Sequence, residues 1–99
     1  MKELFWTKHA IEKMKYYRLG ESRVRRVIKS YERIEEGIAD DTVALMQRTG
    51  SGKGEHEIWV MVADKEKQRR VVSAWRYPGK TEPGEPLPEE ILKEFKEVI

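Results

Sequence analysis

Residues 56–77 read His56-Glu57-Ile58-Trp59-Val60-Met61-Val62-Ala63, then Asp64-Lys65-Glu66-Lys67-Gln68, then Arg69-Arg70-Val71-Val72-Ser73-Ala74-Trp75-Arg76-Tyr77. Two apolar runs of strand length, rich in β-branched and aromatic residues, flank a short charged segment. The pattern predicts strands at His56–Ala63 and Arg70–Tyr77 joined by a turn at Asp64–Gln68. Upstream, Thr42–Arg48 (TVALMQR) predicts a third strand, tied to the pair by the flexible Gly50-Ser51-Gly52-Lys53-Gly54. The expected unit is a three-stranded antiparallel meander. Pro78 ends it, and residues 78–88 hold all four prolines and read as a loop.

Before the meander the apolar period changes to that of a helix. A first helix is expected from Lys8 to Arg18, with Thr7 as N-cap, Ala10, Ile11, Met14 and Tyr17 inward, and Gly20 as the stop. A second is expected from Glu21 to Glu35, with Val24, Val27, Ile28, Tyr31 and Ile34 inward and Gly37 as the stop. Its opposite face carries Arg25, Arg26, Lys29 and Arg33. After the loop, Pro88 fits the first position of a last helix with Ile91, Leu92, Phe95 and Val98 inward. The expected order is α-α-β-β-β-α: two N-terminal helices, a three-stranded antiparallel sheet and a C-terminal helix. That is an α+β fold, read as a single domain over residues 1–99.

The chain has 20 Lys and Arg against 18 Asp and Glu. The small net charge hides a blocked arrangement: +6 over residues 1–33, −4 over 34–58, +4 over 59–80 and −4 over 81–99. The basic blocks point to an anionic partner. There is no cysteine, which removes disulfides, thiolate catalysis and Cys-based zinc sites together. No apolar run approaches the length of a membrane span. The opening Met1–Trp6 has no long apolar stretch and no small-residue cleavage site, so a secretory leader is not expected. The expected address is the cytoplasm of a prokaryote-like cell. Abundant Glu and Lys, without Asn or Cys, lean toward a thermophilic source.

Several familiar motifs fail on inspection. Gly50–Gly54 is not a phosphate loop, because Gln47 stands where its first Gly belongs and Gly54 where Ser or Thr belongs. His56-Glu57 begins a zincin-like pair, but the second His position is Val60. Ser22, Ser30, Ser51 and Ser73 lack a nucleophile elbow. Neither a metal nor a cofactor is expected. Trp59 and Trp75 lie on central strands, where aromatic residues either stack bases or fill the core; the core is the expectation in a chain this short.

The remaining chemistry is His, Lys, Arg and Tyr. His9 and Lys13 share a face of the first helix, with Tyr16 beside them. If the turn pairs Ala63 with Arg69, His56 lies opposite Arg76; a shift of one puts it opposite Tyr77. Arg70, Arg76, Tyr77 and Lys80 are then expected to gather with His56 near one end of the sheet. Cations there would hold phosphate oxygens, and an imidazole would move a proton. Such a set suits metal-independent RNA cleavage, in which the RNA 2′-hydroxyl is the nucleophile.

Thr7-Lys8-His9-Ala10-Ile11-Glu12-Lys13-Met14 reads T-x-H-A-x-x-K-M. It resembles the opening of a prokaryotic domain family of unknown function with T-x-H-A-x-x-R-M at this place. That family is similar in layout to BrnT and the RelE/ParE toxins. The resemblance covers about residues 5–77, and implies a RelE-like fold, ribonuclease or RNA-binding activity and a cognate antitoxin. It matches His9 to the family's His and puts Lys13 where Arg is usual, keeping the charge without the planar fork. The resulting candidates are His9, His56, Arg76 and Tyr77 for catalysis, and Lys13, Arg70, Lys80, Arg25, Arg26 and Lys29 for phosphate. The competing expectation is a non-catalytic module that binds a protein or nucleic acid through its basic face.

Overall fold

The computed structural model describes residues 3–38, 41–84 and Lys93. In chain order the elements are β1 (Glu3–Trp6), α1 (Lys8–Tyr17), α2 (Glu21–Lys29), β2 (Arg33–Glu36), β3 (Thr42–Thr49), β4 (His56–Lys65) and β5 (Gln68–Pro78), with a short 3₁₀ turn at Gly52–Gly54. The strands form one mixed sheet of order β1-β5-β4-β3-β2. β1 runs parallel to β5, and the other neighbouring pairs are antiparallel.

The expected three-stranded sheet is therefore corrected to five strands. Both additions come from tertiary pairing that local sequence does not announce. Glu3–Trp6 docks along the start of β5, with Trp6 beside Val71. Arg33–Glu36, expected as the end of the second helix, is instead the edge strand β2, with Arg33 beside Met46 and Glu36 beside Val43. Its residues are adequate helix formers, but α2 stops after Lys29. There the Gln47 side chain donates to the carbonyls of Ser30 (2.8 Å) and Arg26 (3.3 Å), and so satisfies the Ser30 carbonyl that a longer helix would have used. Tyr31 and Ile34 consequently do not face inward; they are 46% and 49% exposed. The expected C-terminal helix, with Ile91, Leu92, Phe95 and Val98, lies outside the described residues.

Thr7 caps α1. Its hydroxyl accepts from Ala10 N–H at 3.1 Å and donates to Val71 O at 2.9 Å, which ties the helix start to β5. The helix ends at Arg18, which sits in the left-handed region at φ 57°. Both helices cover one face of the sheet. Ala10, Met14, Leu19, Val24 and Val27 meet Leu45, Ile58, Val60, Val62, Val71 and Ala74 there. Alternate strand residues point the other way. On that second face Ala44, Met46, Trp59, Met61 and Trp75 form another buried cluster. Trp59 and Trp75 are cross-strand partners whose rings stack 5.8 Å apart, 2° from parallel, and each is 2% exposed, so these rings are core.

The β4–β5 register differs from both expected alignments. The turn narrows to Glu66 and Lys67, pairing Asp64 with Arg69, and an irregularity at Met61/Val62 leaves Val72 without a partner across the ladder. Beyond it Ile58 lies opposite Arg76, Glu57 opposite Tyr77, and His56 opposite Pro78. Among the described residues, no helix is long and apolar enough to cross a membrane.

Candidate functional site

His56 and Arg76 are diagonal neighbours on the helix-covered face, and their side chains meet: Arg76 Nη1 lies 2.7 Å from His56 Nε2. The other ring nitrogen, Nδ1, lies 2.9 Å from Gly54 O. A carbonyl only accepts, so Nδ1 carries the proton and Nε2 receives the guanidinium N–H. The rest of the Arg76 fork reaches the C-terminal end of α1, donating from Nε to Tyr17 O at 3.1 Å and from Nη2 to Arg18 O at 3.4 Å. A cation there satisfies exposed helix carbonyls and complements the negative end of the helix dipole.

Arg23, on the first turn of α2, adds to this cluster. Its Nη1 donates to Gln47 Oε1 at 2.7 Å, and Gln47 is itself anchored on the carbonyls of α2. The Arg23 guanidinium is held below its ordinary pKa by burial first and then by the charges of Arg26 and Arg76, while Glu32 opposes the change. The Arg23 guanidinium thus lies in the field of two others where α2 meets the end of the sheet. Like charges held together are stabilised by an anion, and planar forks suit the oxygens of a phosphate.

The other expected candidates are dispersed. His9 lies on the first turn of α1, eight residues from Tyr17 and so about 12 Å along the helix axis from the Arg76 end. Lys13 Nζ sits 5.5 Å from the centre of the Tyr16 ring. Tyr77 follows Arg76 directly and therefore points to the second face, where it packs against the tryptophan cluster. Arg70 stacks over Phe5 at 5.5 Å, six residues back along β5 and about 20 Å from Arg76. Lys80 Nζ pairs with Glu55 Oε1 at 3.6 Å. Arg25 stacks over Trp6 at 5.4 Å. Lys29 is exposed on the last turn of α2, and Arg26 is exposed beside Arg23. The expected gathering at one sheet end is corrected accordingly. His56 and Arg76 meet, whereas Tyr77 is on the other face and Arg70 is at the far end of the strand.

Sequence reading missed Arg23 and Gln47. The available signal was Gln47 itself, a polar residue at the inward position that follows Val43 and Leu45. It also missed Glu57, which is fully buried on the second face. Glu57 accepts from Trp59 Nε1 (2.9 Å), Thr81 N–H (2.9 Å) and the Thr81 hydroxyl (2.7 Å). Arg33 clasps Thr81 from the other side, at 2.9 Å to its carbonyl and 2.6 Å to its hydroxyl, and lies 5.0 Å from the centre of the Trp59 ring. Burial alone pushes the Glu57 carboxyl up; the bonds from Thr81 and Trp59, with the Arg33 charge, bring it net below the usual range. This network pins the chain after β5 to the sheet.

Among the described residues, no three His, Asp or Glu side chains come together as a metal set. In comparisons with known proteins, no family model, no curated protein and no solved structure matches the chain.

Proposed function

We propose that this protein binds RNA, in the manner of the RelE/BrnT-type toxins that its T-x-H-A-x-x-K-M helix resembles, through phosphates held by Arg23, Arg26 and Arg76. The observation that carries this reading is the geometry at one sheet end, where Arg76 is bonded to His56, and Arg23, bonded to Gln47, lies in the field of both Arg76 and Arg26. The +6 balance of residues 1–33 adds long-range attraction for a polyanion.

The Arg76–His56 contact favours metal-independent cleavage as the reaction of this site. A phosphate that takes over the Arg76 N–H frees His56 Nε2. That nitrogen then accepts the proton of the RNA 2′-hydroxyl as its oxygen attacks phosphorus. The bond from phosphorus to O5′ breaks, the departing oxygen takes a proton from water, and the hydroxide left takes the proton from His56 Nε2, which restores the neutral ring. The products are a 2′,3′-cyclic phosphate and a 5′-hydroxyl, while Arg76 and Arg23 stabilise the charge on the phosphorane. A cognate antitoxin would cover the same basic surface.

The test is incubation of the purified chain with labelled single-stranded RNA at low salt in a chelator. Binding, and cyclic-phosphate ends that disappear in His56→Ala, are expected. Binding without product leaves an RNA-binding module. Absence of binding overturns the reading and favours an acidic protein partner.

A further inference from the structure

Beside the arginine cluster lies an open groove of about 390 Å³ between α1, the α1–α2 junction and the end of β1. Its floor is Trp6, Met14 and Leu19. Met14 and Leu19 are buried, while Ile11 forms a lip that is 42% exposed. Lys15 and Arg18 stand on the rim, with Glu21 as the carboxylate in the lining. Arg18 links the groove to the phosphate site, because its backbone carbonyl is the group that Arg76 Nη2 approaches at 3.4 Å. The guanidinium of Arg25 lies over the Trp6 ring, 5.4 Å from its centre.

We propose that this groove receives an unpaired base of the RNA whose phosphates the arginine cluster holds, an inference that rests on the phosphate reading above. An apolar slot with an aromatic wall and a stacked guanidinium is the surface on which unstacked bases lie in single-strand recognition. A cationic rim next to it matches a ligand in which every planar apolar group is attached to a phosphate. The positive balance of residues 1–33, which supply the groove's lining, completes the charge complementarity. The ligand class is single-stranded RNA; a duplex keeps its bases stacked and leaves the groove empty.

The experiment titrates the full chain with a short oligoadenylate and, separately, with inorganic polyphosphate, reading each affinity by calorimetry and base contact by tryptophan fluorescence. Trp59 and Trp75 are 2% exposed, so ligand-dependent quenching reports Trp6. Oligoadenylate should quench and polyphosphate should not. Ile11→Gln, at an exposed helix position, should weaken oligoadenylate about tenfold while changing polyphosphate less than about twofold. Trp6→Leu should reproduce that split. Equal losses for both ligands, or none, overturn the base groove and leave the phosphate site standing. Failure of the wild-type chain to bind either ligand overturns the phosphate reading and this inference with it. Quenching by an acidic, leucine-containing peptide but not by oligoadenylate assigns the groove to a protein partner and overturns the proposal.

Discussion

Arg76 Nη1 lies 2.7 Å from His56 Nε2 although the two residues are not ladder partners; Arg76 stands opposite Ile58. The contact is diagonal, and the same guanidinium closes the end of α1 through the carbonyls of Tyr17 and Arg18. Arg76→Ala should therefore cost about 1–3 kcal/mol of stability, since helix-end carbonyls lose their donor. His56→Ala, which leaves the two carbonyl bonds in place, should cost about 1 kcal/mol. Urea denaturation of both variants checks the order; equal costs would show that the helix-end bonds add nothing.

Glu57 supplies a pH signature. Its folded-state pKa lies below the ordinary glutamate value of 4.5, so its contribution is present above that value and is lost as pH falls through the folded pKa. Glu57→Gln removes a buried charge that three donors address, and should cost about 1–3 kcal/mol at neutral pH. Stability measured from pH 7 down to pH 2 should show the gap between wild type and variant closing in the acid range. A gap that stays constant would mean the carboxylate charge is not what Thr81 and Trp59 recognise.

Arg18 ends α1 in a conformation that costs an L-residue energy and glycine almost none. Its role toward Arg76 is played by its carbonyl, which any residue retains. Arg18→Gly should raise stability by about 0.5–1 kcal/mol, after the extra freedom of glycine in the unfolded chain is counted. A midpoint in urea that fails to rise relative to wild type would refute this account of the helix end.

The hairpin of residues 56–77 was legible because two continuous β-branched and aromatic runs flank a polar turn, and the start of α1 was legible from Thr7. The register was not, because the irregularity beside Val72 adds a residue that no local pattern marks. β1 is four residues long and is defined by its parallel partner, while β2 is made of helix-compatible residues held by β3, Thr81 and Gly84. The same contrast holds for the site. The open end of the β4–β5 hairpin brings His56 near Arg76, but strand alternation turns Tyr77 away. Arg23 meets Gln47 across 24 residues of sequence. Periodicity reports which face a side chain takes; it does not report which distant side chain shares that face.

The salt dependence of single-stranded RNA binding tests the central claim most directly. Arg26 is exposed within the arginine cluster, and Arg70 is an equally charged residue stacked on Phe5 far from it. Each phosphate contact contributes about 0.7 to the slope of log K against log salt. Arg26→Ala should lower the slope by about that amount and weaken binding, while Arg70→Ala should leave both unchanged. Equal effects from the two variants would show diffuse attraction by scattered cations and contradict a phosphate site at Arg23, Arg26 and Arg76.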